Sequence, residues 1–352
     1  MSEQDSVDSF AQTMVSGSAD QREVTTLPAQ MSFEGERYET RRVLGAGGMG
    51  EVRLCADAWI GRDVAMKVAK AGQGSAAETR GRFLREARVQ GQLEHPNIVP
   101  VYDLGLHRGE TFFTMKRIGG HTLEEIVRGL REGREEIRAK YNRRKLLSAA
   151  SQVCLTIAYA HSRGVIHRDL KPANVMLGDF GEVYVLDWGV AKLAGNEHEQ
   201  AGAVIGTPGY MPPEQLAGEA VGPRSDVYAL GAILFELLAL EPLNAGASLN
   251  ELVAATAKPA DAPSARALSQ AVPPELDAIV LRAADLDPSK RYESARAMHE
   301  AIEAFLDGER DAERRRALAS AHVKKARAAL ARASGAIARR PPCARRACTL
   351  RG

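Results

Sequence analysis

Eight consecutive residues, His167-Arg168-Asp169-Leu170-Lys171-Pro172-Ala173-Asn174, set a carboxylate, an ammonium and a carboxamide at offsets of two and five. A second acid follows in Asp187-Trp188-Gly189. A proton acceptor, a phosphate-pairing cation and two oxygen ligands for a divalent metal are what transfer of a phosphoryl group to a hydroxyl requires. Such groups act together only if a fold brings them to one point. This set therefore constrains the chain more than any other stretch in it.

The 352 residues leave room for two compact domains or one bilobal unit. Hydrophobic content of 45% and charged content of 26% are those of an ordinary globular chain. A formal net charge of +2 is too small to imply nucleic acid or acidic lipid as a partner. It conceals an asymmetry, because roughly the last forty residues are rich in Arg and Lys while the rest is mildly acidic. Cys55, Cys154, Cys343 and Cys348 form no close CxxC pair, which argues against a disulfide framework or a zinc site and for a reducing cytoplasm. No signal-type apolar core follows the acidic Met1–Asp5. The longest apolar run, Ala229–Leu240, is too short to span a bilayer and contains Glu236, so no membrane segment is expected.

Residues 1–37, rich in Ser, Thr, Gln and acids, read as a disordered leader. From Tyr38 the pattern becomes short alternating runs. Arg42-Val43-Leu44 leads into Gly45-Ala46-Gly47-Gly48-Met49-Gly50, and Glu51-Val52-Arg53-Leu54-Cys55 alternates again. The GxGxxG spacing also occurs in dinucleotide-binding folds, where a helix follows and an acid lies about twenty residues on. Here a strand-like run follows and the comparable position is Lys67. Two strands joined by a glycine turn make a flap whose N–H groups close over phosphates. Val64-Ala65-Met66-Lys67 is a third strand, and Thr79–Gln92 has helical spacing with Glu86 inside it. Taken singly, Lys67 reads as a solvated strand-edge residue and Glu86 as a surface glutamate.

In family order, these motifs resemble the protein kinase superfamily. The Gly-Gly-Met-Gly flap, Asp187-Trp188-Gly189 and Pro212-Pro213-Glu214 are similar to those of bacterial eukaryotic-type serine/threonine kinases. The resemblance covers about 38–306. It implies an α+β, bilobal protein kinase-like fold, with a small β-rich N-lobe (38–118) and a larger, mainly helical C-lobe (119–306). A basic tail, helical or disordered, would occupy 307–352. It implies ATP and Mg²⁺, with Mn²⁺ as an alternative, in the cleft. Asp169 would be the base, Lys171 would steady the γ-phosphate, and Asn174 and Asp187 would hold the metal. Lys67, ion-paired with Glu86, would bind the α- and β-phosphates. Leu44, Gly45, Ala46, Gly47, Gly48, Met49, Gly50, Val52, Ala65, Met115, Ile118 and Met176 would surround the nucleotide. The main chain of Lys116–Ile118 would read adenine, although Lys116 and Arg117 replace the usual acid and aromatic.

Asp179-Phe180-Gly181 repeats the family's metal-binding triplet literally, but it follows Asn174 too closely and precedes the strand-like Val183–Leu186. It reads as a hairpin turn, and Asp187-Trp188-Gly189 as the working triplet. A buried indole there would need a partner for its N–H. Thr207, in Gly206-Thr207-Pro208-Gly209-Tyr210, together with Lys171 matches serine/threonine specificity. Glu214 is expected to pair with Arg291, and Asp226 to brace the catalytic loop from a buried helix. Between Asp187 and Glu214 only Thr207 and Tyr210 carry hydroxyls, so Glu197 or Glu199 is expected to replace an activating phosphate opposite Arg168.

Thr122-Leu123-Glu124-Glu125 matches a capping box, Arg128–Arg144 reads as a solvated insertion, and Lys145–Arg163 as a long amphipathic helix. Residues 308–330 read as helical without a core of their own. The basic run after Arg339 is either a solvated tail or a site for an anionic partner. Bacterial relatives often continue into a membrane helix or repeat domain, so the sensory part is expected to be absent or on another protein. The expected partner is a protein with a Ser or Thr acceptor, with no specific nucleic acid. Dimerisation is left open. The rival reading is a pseudokinase scaffold, which usually lacks Lys67, Asp169, Asn174 or Asp187; this chain keeps all four.

Overall fold

The computed structural model describes residues 36–46, 50–69, 76–193, 206–267 and 271–338. Gly47, Gly48, Met49, Glu197, Glu199, the leader up to residue 35 and the tail from residue 339 lie outside the described residues.

Five strands form one antiparallel sheet: β1 Tyr38–Ala46, β2 Gly50–Asp57, β3 Arg62–Ala69, β4 Val101–His107 and β5 Glu110–Lys116, in spatial order β1-β2-β3-β5-β4. Side chains alternate across a strand, and β3 shows the consequence. Val64, Met66 and Val68 pack with Tyr38, Cys55 and Phe112 in one apolar cluster. The intervening Ala65 and Lys67 belong to the opposite face, where Phe113, the register partner of Lys67, packs on Phe83 of helix α1 (Ala76–Gln92). A lysine among these apolar positions is tolerable only if α1 supplies an anion.

The remaining chain is mainly helical: α2 Leu123–Arg131, α3 Glu135–Lys140, α4 Arg143–Ser162, α5 Pro213–Leu216, α6 Pro223–Ala239, α7 Leu249–Thr256, α8 Pro263–Arg266, α9 Pro274–Ala283 and α10 Ala295–Ala338. Short strands β6 Gly120–Thr122, β8 Val175–Gly178 and β9 Val183–Val185 make a second sheet, and β7 Val165–Ile166 pairs with β10 Lys192–Leu193. At the centre lies α6, buried at every position from Ser225 to Ala239. That explains its long apolar run without a membrane. Among the described residues no helix is long and apolar enough to cross a bilayer.

The capping box of α2 forms in full: Glu125 N–H donates to Thr122 Oγ1 (3.2 Å) and Thr122 N–H to the Glu125 carboxylate (2.9 Å). The segment expected as a solvated insertion keeps its charged side chains exposed or half-buried, but it is largely helical and also contributes apolar residues to the core. The end of α2 and all of α3 occupy it, with Ile137 and Tyr141 buried. Their apolar side chains are spaced widely among charges, which hides the burial from a count of composition. Helix α10 runs unbroken for 44 residues, through the point near Leu306 where the sequence pattern of the domain ends.

Candidate active site

Two clusters of polar side chains meet where the two parts of the fold adjoin. In the first, Lys67 Nζ donates to Glu86 Oε1 at 2.5 Å, and the Asp187 carboxylate lies 3.9 Å from the same nitrogen. Burial pushes the Glu86 carboxyl up, against the opposing pull of the Lys67 charge, and the Asp187 charge adds to the rise. Neither partner is a surface residue, since the Lys67 and Glu86 side chains are 13% and 2% exposed.

The second cluster is the loop between β7 and β8. Lys171 Nζ donates to Asp169 Oδ2 (2.8 Å) and to Thr207 Oγ1 (2.7 Å), while Thr207 Oγ1 donates to Asp169 Oδ1 (2.6 Å). Asn174 Nδ2 donates to the Asp169 carbonyl (2.8 Å). With its amide nitrogen turned towards Asp169, Asn174 keeps its oxygen for another partner.

The clusters are joined by main chain. Leu186 N–H donates to the Asn174 carbonyl (2.8 Å), and the Leu186 carbonyl accepts from His167 Nε2 (3.1 Å). His167 Nδ1 accepts from Asp169 N–H (3.3 Å), so the neutral ring with its proton on Nε2 satisfies both contacts. The turn at His95–Val99 reaches the same strand, where Val185 N–H donates to the Asn97 carbonyl (2.9 Å). Asp187 is thereby tied to the loop carrying Asp169 and, through β9, to the first part of the fold.

Asp226, on the buried helix α6, holds the loop from beneath. Its Oδ2 accepts His167 N–H (2.9 Å) and His161 Nε2–H (2.7 Å), and its Oδ1 accepts Arg168 N–H (2.9 Å). Burial alone would push this carboxyl up. The hydrogen bonds from His161 and from the His167 N–H outweigh burial and hold it below the usual range. Arg168 sits at φ +65°, a left-handed conformation that costs a non-glycine residue roughly 1–2 kcal/mol. Its N–H is held by Asp226, its carbonyl accepts from Gln215 Nε2 (2.8 Å), and its Nε donates to the Val190 carbonyl (2.7 Å). These contacts offset the strain.

Sequence reading missed His161 and Gln215. Neither belongs to a recognisable spacing, and only the packing of α4 and α5 against the loop reveals them.

The flap ends are in place. Leu44, Gly45 and Ala46 are exposed at the end of β1, and Val52 faces Lys67 in register across β2 and β3. Gly50 is required, because a Cβ there would come within 2.4 Å of the Val68 carbonyl oxygen. Ala65 pairs with Met115, and Met115, Ile118 and Met176 are half-buried. The two cations near Ile118 are engaged elsewhere: Lys116 Nζ donates to Tyr184 Oη (2.5 Å) and Arg117 to Asp63 (3.1 Å).

Asp179–Gly181 is the turn between β8 and β9. Gly181 has φ +91°, Phe180 is 95% exposed, and Asp179 pairs with Lys140 (2.8 Å). The Trp188 ring is buried and lies tilted against His167, with ring centroids 4.7 Å apart, but its Nε1–H has no partner among the described residues. An orphaned donor costs about 1–3 kcal/mol. Trp188→Phe removes that cost, so its net destabilisation is expected to stay within about 1 kcal/mol, against the ~3–5 kcal/mol of truncating a core aromatic. Urea unfolding measures it, and a loss above 3 kcal/mol contradicts the orphan.

The chain belongs to the protein kinase domain family, whose model matches residues 38–302. Over 78% of its length it is 35% identical to serine/threonine-protein kinase PknD of Chlamydia pneumoniae, covering 31% of that protein. A probable serine/threonine-protein kinase of Streptomyces coelicolor, SCO3848, is 40% identical over 78% of this chain and 41% of its own length. The chain thus spans between about a third and two fifths of the length of these curated relatives.

Proposed function

We propose that this chain is a serine/threonine protein kinase that transfers the γ-phosphoryl group of ATP to a protein hydroxyl. The observation that carries the reading is the single network joining Asp169, Lys171, Thr207 and Asn174, tied through Leu186 to Asp187 and the Lys67–Glu86 pair.

The donor set suits Mg²⁺. Among the described residues no group of three or more His, Cys, Asp or Glu gathers as a cage. Asp187, 37% exposed, and the Asn174 amide oxygen instead offer two hard oxygen ligands. Mg²⁺ keeps several waters and is held by one or two protein oxygens plus substrate phosphates. When bound, the metal would supply positive charge beside the nucleotide phosphates.

The protein's own groups do the rest. The Asp169 carboxylate orients the acceptor hydroxyl and takes its proton at an Oδ atom. In a loose transition state that proton leaves late, so position matters more than basicity. Lys171, already hydrogen-bonded to both Asp169 and Thr207, sits where the γ-phosphate and acceptor would meet. Lys67, fixed by Glu86, would pair with the α- and β-phosphates. The Thr207 hydroxyl couples the acceptor-docking loop to the base.

The test is a γ-labelled ATP assay with a generic basic protein, run beside Asp169→Asn. Loss of a general base is expected to lower the rate by roughly 10²–10⁴-fold. Equal labelling by both proteins overturns the proposal, and nucleotide binding without turnover in wild type moves the reading to a pseudokinase scaffold.

A further inference from the structure

Helix α10 leaves the domain part-way along its length. Met298, Ile302 and Leu306 are buried in the core, whereas every residue from Glu313 to Arg327 is exposed, including Leu318 at 56% and Val323 at 51%. A helix of 44 residues is about 66 Å long. From Arg314 to Arg327 it therefore stands clear of the domain, and in water an isolated helix gains little from propensity alone.

The sequence of the distal half has a seven-residue period. Val323, Leu330 and Ile337 recur at intervals of seven, and Ala319, Ala326 and Ala333 occupy the intermediate positions of the same stripe. In heptad terms these are a and d positions. Lys324, Lys325 and Arg332 fall at b and c, Arg327 at e, and no charge enters the stripe between residues 319 and 337. A period of 3.5 is that of a seam between supercoiled helices, not of a helix lying on a globular core. Arg316 ends the stripe on one side, and Pro341-Pro342 follow it on the other.

We propose that this seam pairs with the same seam of a second copy of the chain, antiparallel, about a two-fold axis at position 328. The direction follows from side-chain size. A parallel pair would stack Val on Val, Leu on Leu and Ile on Ile, alternating with layers of Ala on Ala that leave voids. The antiparallel pair sets Ala319 against Ile337, Val323 against Ala333 and Ala326 against Leu330, one small and one large residue in every layer. All three pairs are symmetric about 328, as an isologous, closed contact requires. At the flank Arg327 meets its own counterpart, so salt strengthens the association by screening that repulsion.

The test uses the full chain with Cys343→Ser and Cys348→Ser, the buried Cys55 and Cys154 being left in place. Val323→Cys and Ala333→Cys proteins are oxidised separately and as a mixture. The mixed disulfide is expected to exceed either homodimer several-fold. Sedimentation should show a concentration-dependent dimer that salt favours and that Leu330→Asp weakens at least tenfold. An unchanged melting temperature in Leu330→Asp would assign that loss to the seam. A predominant Val323→Cys homodimer, a monomer at ~100 µM, or a dimer indifferent to Leu330→Asp each overturns the proposal.

Discussion

Asp187→Asn is expected to lower phosphoryl transfer at least about 100-fold, whereas Asp179→Asn leaves it within about twofold. Substitution of groups merely supporting a metal ligand already costs 10–100-fold, and Asp187 is proposed as a ligand itself. The two acids open similar tripeptides, Asp-Trp-Gly and Asp-Phe-Gly, which only their spacing from Asn174 separates in the sequence. Their surroundings separate them in the fold. Asp187, at φ +59°, lies 3.9 Å from Lys67 and follows Leu186, whose peptide groups bond both Asn174 and His167. Asp179 is 55% exposed, and its hydrogen bond from Lys140 holds its carboxyl below the usual range at the tip of a hairpin. A Mg²⁺ titration of the initial rate checks the assignment. Asp187→Asn should raise the half-saturating Mg²⁺ as well as lower the maximum, and the opposite ranking of the two variants would overturn it.

What the sequence discloses about this site depends on how far apart the interacting residues lie. The capping box at Thr122–Glu125 and the β8–β9 turn are set by contacts within a few residues, and both are legible directly. Lys67 with Glu86, and Glu214 with Arg291, are legible only because they sit in a recognised order of motifs, since nothing in either residue alone announces a partner 19 or 77 positions away. Of the loop's supports, Asp226 was legible from its place in that same order, and the others were not. His161 is one polar residue at the end of an amphipathic helix, and Gln215 follows a glutamate that draws the attention. Leu186 acts through its main chain, which carries no side-chain signal. The α3 segment was legible only in part: its charges are solvated as expected, but their density outweighed Ile137 and Tyr141, and Ile137 is buried by packing against Gly129 of α2.

Arg291→Met is expected to destabilise the domain by about 3–5 kcal/mol, the usual result of removing one member of a buried ion pair. Arg291 is fully buried and donates to both oxygens of Glu214 (2.8 and 2.9 Å) and to the carbonyls of Asp285 and Arg224 (2.7 and 3.0 Å). Without it, Glu214 retains the Ser225 hydroxyl (2.8 Å) and little else among the described residues. In the wild type, burial pushes the Glu214 carboxyl up, but the Arg291 hydrogen bond and charge outweigh it and hold it below the usual range. A folded value below the unfolded one means that the pair's contribution is complete above the unfolded carboxyl value, about pH 4.3. It is lost as pH falls through the lower folded value. In Arg291→Met the balance reverses, because burial is then unopposed and the carboxyl is held high. Stability should recover as the pH falls and the carboxyl takes up a proton. Thermal unfolding from about pH 3 to pH 8, which spans both transitions, distinguishes the two slopes. Replacing both members, Glu214→Leu with Arg291→Met, should restore most of the loss, since two apolar side chains leave no charge stranded. A double variant as unstable as the single one would mean that Arg291 acts mainly through the carbonyls it caps.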